Sequence, residues 1–186
     1  SPTPKPATST EIRPDGTTVF SDFETGYRLA MPSGWVVLDI TGEGLAAAMR
    51  KAVNANPDLA PLLEAGRPVI QEGMRLVALN ADPELLASQA MPNITVIRLD
   101  KTQTLGMPLN LLLNVTAQSL EAVVPGAKML EARMVQREDG FGYGRIDLTL
   151  KTKNLLGKQV LAREALILAQ APNHVIMLTL ASGINE

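Results

Sequence analysis

The sequence predicts an α+β fold: an aromatic N-terminal hairpin, a helical middle and a closing antiparallel meander of four strands. Three observations predict it. Between Ala127 and Ala181 four runs of strand-forming residues are joined by turns too short for a crossover helix, and such neighbours pair antiparallel. Pro108 opens a segment in which Leu109, Leu112, Leu113, Leu120 and Val124 recur along one side of a helix. Residues 20–35 hold four of the chain's six aromatic residues, Phe20, Phe23, Tyr27 and Trp35.

The elements follow in order. Ser1-Pro2-Thr3-Pro4-Lys5-Pro6-Ala7-Thr8-Ser9-Thr10 has nothing to bury, so residues 1–16 read as a disordered, extended linker and residues 17–186 as a single domain. Such a stalk suits a protein emerging from a membrane behind a lipid anchor. Thr17 to Phe20 and Tyr27 to Met31 form the first hairpin around Glu24-Thr25-Gly26. The Pro32-Ser33-Gly34 corner delivers Trp35, and Val36-Val37-Leu38 continues the strand. Leu45, Met49 and Val53 recur at helical spacing until Asn56-Pro57 stops them. Pro57 starts a second helix with Leu59, Leu62 and Leu63 on one side and Gly66 at its end. Pro68 to Glu72 adds one turn. Met74 to Asn80 is a buried strand. Asp82-Pro83-Glu84 opens a short helix, since proline is tolerated in a first turn. Asn93 to Asp100 carries Ile94, Val96, Ile97 and Leu99 on both faces, as a central strand does. After the Pro108 helix, Pro125-Gly126 leads into strands at Ala127–Glu138, Gly142–Thr152, Lys158–Ala169 and His174–Ala181.

Hydrophobic pattern also suggests registers. Matching Ile146, Leu148 and Leu150 with Met134, Ala132 and Leu130 keeps apolar residues together, whereas a one-residue slip opposes core to solvent. That register sets Arg133 opposite Asp147. The next hairpin, matched likewise, sets Asp147 opposite Arg163. The expectation is a cross-strand charge ladder of Arg133, Asp147 and Arg163, a common stabilising device rather than a catalytic one.

Composition excludes several functions. The net charge is −2 from 17 basic and 19 acidic residues, with no basic stripe, so nucleic acid is not an expected partner. There is no cysteine, hence no disulfide, thiolate metal site or cysteine nucleophile. No apolar run reaches the roughly 18 residues of a membrane span. Membrane association is expected only through an N-terminal anchor outside this sequence. His174 is the only histidine; one histidine builds no multi-histidine metal site. A serine hydrolase would have to use it, and no Gly-x-Ser-x-Gly elbow is present. No metal or cofactor is expected.

Some residues suggest contact instead of chemistry. Tyr27 with Trp35 lines a ligand cleft if the pair is not core. Phe141 and Tyr143 sit in Asp139-Gly140-Phe141-Gly142-Tyr143-Gly144, which leads into a strand and opens no helix, so it is a turn and no phosphate cradle. Its two aromatics either clasp the hairpin or touch a partner. Glu164 shares strand parity with Val160, Ala162, Leu166 and Leu168, so it points towards an apolar face. Covered, it needs a partner or a raised pKa; in an uncovered gap it needs neither. Asn93-Ile94-Thr95 and Asn114-Val115-Thr116 match the glycosylation sequon inside regular elements, and the eight methionines are scattered core filler.

Tyr27-Arg28-Leu29-Ala30-Met31-Pro32-Ser33-Gly34-Trp35 resembles the PsbP/Mog1-like family, in which an aromatic and a few strand residues precede Pro-x-Gly-Trp. The order of elements resembles that family over roughly residues 17–182. The resemblance implies a central antiparallel β-sheet with helices on both faces, an α-β-α sandwich. It implies binding and accessory roles: the family includes photosystem subunits, a small-GTPase-binding factor and bacterial lipoproteins. Members often place a helix after the last strand, where this sequence has Gly183-Ile184-Asn185-Glu186, so one face of the sheet is expected to be more open if no such helix covers it. The function expected is a non-enzymatic extracytoplasmic binding or accessory domain, tethered to a bacterial membrane and acting through contacts with an unidentified protein partner. The alternative is a carrier of a small apolar ligand or lipid, with a pocket between sheet and helices.

Overall fold

Every strand pairing among the described residues is antiparallel, and these strands form two sheets of very different size. A computed structural model describes residues 6–42, 44–65, 71–82, 84, 89–154 and 156–184. The Gly66 end of the second helix, the turn expected at Pro68–Glu72 and the short helix expected to open at Asp82-Pro83-Glu84 lie wholly or partly outside them.

The small sheet has the order β1-β2-β3, from Thr8–Ile12, Thr18–Asp22 and Tyr27–Met31. β1 corrects part of the expected 1–16 linker. It is almost entirely exposed and is held by pairing with the outer edge of β2. A strand made by backbone hydrogen bonds without burial leaves no hydrophobic pattern to read. The β2–β3 turn runs as expected through Gly26, at φ +81°, a left-handed conformation that glycine adopts without a steric penalty.

The large sheet has the order β4-β5-β6-β10-β9-β8-β7. Its strands are β4 Trp35–Asp39, β5 Met74–Asn80, β6 Asn93–Asp100, β7 Lys128–Gln136, β8 Gly142–Lys153, β9 Gln159–Gln170 and β10 His174–Gly183. It is two meanders, β4-β5-β6 and β7-β8-β9-β10, joined where β10 pairs with β6. The helices are α1 Gly44–Ala55, α2 Ala60–Ala65 and α3 Leu109–Val123, with a single 3₁₀ turn at Pro57–Leu59. Asn56 caps that turn, its side chain accepting the Asp58 N–H.

Strand parity assigns the layers. Leu38, Val77, Leu79 and Ile97 pack against Leu45 and Met49 of α1 and Leu63 of α2. Ile146, Leu148, Leu166, Leu168 and Val175 pack against Leu112, Leu113 and Ala117 of α3. Leu99 and Met177 touch both clusters, so both helical groups cover the same face. The alternate residues Leu76, Ala78, Val96, Ile176 and Leu178 face the other way and meet Phe20, Met31, Tyr27 and Leu29 of the small sheet. The α+β class holds. The expected helices on both faces are replaced, among the described residues, by helices on one face and the small sheet on part of the other. The cause is the N-terminal hairpin: Phe20 and Met31 bury their side chains in the place a second helical layer would occupy.

The meander registers differ from expectation by two residues. Ile146 pairs with Ala132 and not Met134, and Asp147 pairs with Ala165 and not Arg163. The expected registers leave one residue to turn each hairpin. The observed ones leave Glu138-Asp139-Gly140, closed by Arg137 N–H to Phe141 O, and residues 155–157, closed by Asn154 N–H to Lys158 O. Three-residue loops with a left-handed glycine, Gly140 and Gly157, are a favoured solution. A shift of two preserves parity, so the faces are unchanged. Gly144 has a packing role: a Cβ there would lie 3.0 Å from Leu113 Cδ1, and its absence lets α3 settle onto β8.

Candidate functional site

The small sheet stops short of β8 and β9, and an open cleft of about 320 Å³ lies beside it on the same face of the large sheet. Trp35 forms one wall. It is delivered by Gly34, at φ +86°, whose carbonyl accepts the Ala81 N–H. Ile94, Ala165 and Leu180 supply apolar floor, and Arg145, Asp147 and Arg163 the opposite side.

Period-two alternation places these charges. Arg145 and Asp147 are two apart on β8 and point the same way. Their geometry is a fork: Arg145 Nε donates to Asp147 Oδ2 at 2.7 Å and Nη2 to Oδ1 at 2.8 Å. Arg163 Nη2 stands 3.6 Å from the same Oδ1. Asp147 is only 4% exposed. The hydrogen bonds from Arg145, opposed by burial and aided by the charges of Arg145, Arg163 and Arg133, hold its carboxyl below the usual range. Arg145 is pushed further up by the same hydrogen bonds and charge. Asp147 is thus ionised and engaged, which suits it poorly to acid/base work. Arg163, with its side chain 57% exposed, keeps donors for a group from outside.

The expected ladder is therefore re-formed. Arg163 reaches Asp147 diagonally, Arg133 sits opposite Arg145 and forms its ion pair with Glu131 at 3.6 Å, and Arg145 is the principal partner. Arg145 was legible from its two-residue spacing to Asp147, a signal the cross-strand reading passes over.

The other expected contact residues do not converge on the cleft. Tyr27 is packed 6.0 Å from Phe20, centroid to centroid, between the two sheets. Its hydroxyl is buried with no hydrogen-bond partner among the described residues, and burial together with the charge of Asp22 pushes its pKa up. Tyr27 and Trp35 lie on the face opposite α3, so they line no space between the sheet and that helix. Phe141 and Tyr143 stack obliquely at 6.3 Å at the far hairpin end. Glu164 is half-buried on the helical face, opposite Leu148 and Ala181, where burial pushes its carboxyl up. A second hollow of about 350 Å³ separates α1 from α2, lined by Met49, Val53 and Leu63 with Arg50 and Glu64.

A separate polar cluster, unforeseen from sequence, fastens the small sheet to the large one. Asp22 is fully buried. It accepts from Arg75 Nε at 2.8 Å and Nη2 at 3.1 Å, and from the N–H groups of Glu24 and Thr25 at 3.1 and 2.9 Å. Burial raises its pKa, but the Arg75 and Thr25 hydrogen bonds outweigh burial and the net shift is downward. Arg75 also donates to Glu24 at 2.8 Å. His174 Nε2 stands 3.0 Å from the Thr25 carbonyl oxygen, which only accepts, so this nitrogen carries a proton. Among the described residues no group of three or more His, Asp or Glu is placed to hold a metal ion.

No family model and no curated protein matches the sequence. Solved structures do. Cyanobacterial PsbP from Synechocystis is 16% identical, covering 89% of this chain and 79% of its own, with a TM-score of 0.48. The Ran-binding protein Mog1p of Saccharomyces cerevisiae is 11% identical, covering 85% and 72%, with a TM-score of 0.45. LpqN of Mycobacterium tuberculosis, described as involved in cell envelope biogenesis, is 13% identical, covering 63% and 69%, with a TM-score of 0.36.

Proposed function

We propose that this chain is a non-enzymatic binding module whose contact surface is the open sheet face, with the Trp35 cleft at its centre. The observation that supports it is the make-up of that cleft: a flat aromatic wall, an apolar floor and an arginine held ready by an already neutralised neighbour. Such a surface takes an extended protein segment, an acidic side chain meeting Arg163 and an apolar one meeting Trp35. The carrier alternative fits less well, because a ligand in an open cleft stays half in water. Placement outside the cytoplasm on a tether belongs to the same proposal and rests on the composition of the residues before β1, where Pro2, Pro4 and Pro6 alternate with Thr3 and Lys5.

Trp35 is the only tryptophan, so its emission reports on the cleft directly. The test titrates synthetic peptides carrying Asp or Glu beside Leu or Phe, with Lys-substituted controls. Acidic peptides shift Trp35 emission, and Arg163→Glu abolishes the shift. If no peptide perturbs Trp35, or if Arg163→Glu binds as well as the parent chain, the reading is wrong.

A further inference from the structure

β7 is an edge of the large sheet, paired with β8 on one side and with no strand on the other among the described residues. Its side chains are largely exposed. Long open edges invite pairing with another chain and are commonly blunted. Here the blunting is confined to the start of the strand. A bulge falls between Met129 and Glu131, and Glu121 Oε1 accepts the Met129 N–H at 2.8 Å. Leu130 is the bulge residue, and beyond it the strand runs regularly against β8; Leu130-Glu131-Ala132-Arg133-Met134 has the same chemistry read from either end: apolar, charged, alanine, opposite charge, apolar.

A strand with this symmetry is complementary to itself. Antiparallel pairing of two copies about Ala132 sets Leu130 against Met134 and Glu131 against Arg133, each twice. Leu130 and Met134 are 52% and 46% exposed in the single chain and cover one another in the pair. The charges make a second, independent point. Within the chain, β8 places Asp147 opposite Glu131 and Arg145 opposite Arg133, like against like. Directly opposed like charges destabilise a sheet, and opposed unlike charges stabilise it. A second copy of β7 supplies the unlike partners that β8 does not.

We propose that the chain forms a two-fold dimer through β7, with the axis through Ala132 normal to the sheet, so that two large sheets become one continuous sheet. Both Trp35 clefts then open on the same side. The proposal is independent of what the cleft binds.

The test is sedimentation velocity of the full chain from about 1 μM to about 1 mM, bracketing the affinities of small interfaces. The parent chain shows a concentration-dependent monomer–dimer equilibrium. Glu131→Arg and Arg133→Glu each weaken it about tenfold or more, because like pairs replace both unlike pairs across the axis. Each reversal also sets unlike charges across β7 and β8, so the monomer stays folded, as circular dichroism will show. The double swap Glu131→Arg with Arg133→Glu restores dimerisation to within about threefold of the parent. A parent chain monomeric throughout, a dimer indifferent to either single reversal, or a double swap that does not recover overturns the proposal.

Discussion

Removing Arg75 from the buried clamp is the sharpest perturbation of this fold. In Arg75→Met the Asp22 carboxylate, fully buried, keeps only the Glu24 and Thr25 N–H donors. Breaking a buried pair by deleting one member costs about 3–5 kcal/mol. The Arg75 side chain is 14% exposed, so the lower end, about 3 kcal/mol, is expected. Asp22→Asn retains a carbonyl oxygen for the turn and loses the charged fork, at about 2 kcal/mol. The double variant loses the pair once, so it costs about 3 rather than about 5 kcal/mol, a coupling of about 2 kcal/mol. Urea unfolding at neutral pH, followed by Trp35 emission, reads all three, and 3 kcal/mol moves the midpoint by more than about 1 M. The pH dependence has a fixed sign. The folded pKa of Asp22 is depressed, so its contribution is present above the unfolded value of about 3.9 and is lost as pH falls through the folded value. Singles costing under about 0.5 kcal/mol, or strictly additive costs, would refute the clamp.

Glu164→Gln has the opposite pH signature. The folded carboxyl is raised by burial, so its charged form opposes folding. The variant is more stable than the parent at neutral pH, and the advantage disappears near and below about pH 4, as paired thermal melts will record. Gly73→Ala strains a residue at φ +81° and drives a Cβ into the Arg98 carbonyl oxygen, so unfolding free energy falls by more than about 2 kcal/mol. His174→Ala removes the hydrogen bond to the Thr25 carbonyl, costing about 1–2 kcal/mol and raising amide exchange at the β2–β3 turn above that of β8, where no change is expected.

The parts of this structure that could be read from sequence are those with a local cause. The apolar stripe of α3, the turns of the meander and the Gly26 hairpin follow from spacing and residue type. β1 has no stripe, because its partner is one exposed edge. The registers were ambiguous to hydrophobic matching, since a shift of two leaves each face intact; counting the residues needed to turn Gly140 and Gly157 resolves them. Which face each helix covers depends on how the two meanders meet, a long-range property invisible in any one segment. The same holds for Asp22 and Arg75, separated by 53 positions. Of the candidate contacts Trp35 lines the cleft, where it meets Asp147 and Arg163 of the expected charge ladder, while Tyr27 packs against Phe20 between the two sheets.

The junction of β6 with β10 has a consequence for how the chain is made. β10 follows every other described element in sequence, yet it occupies the middle of the large sheet, and its Met177 is shared by both helical clusters. β7, β8 and β9 can form from local hairpins and β4-β5-β6 from pairings that span α1 and α2, but the two groups cannot merge until β10 is available. Until then, the pairing edge of β6 and the apolar side chains of both halves wait uncovered. Of the described strands, the last to be synthesised is the one that makes a single body out of two, and the edge of β6 is open to aggregation in the interval before it emerges.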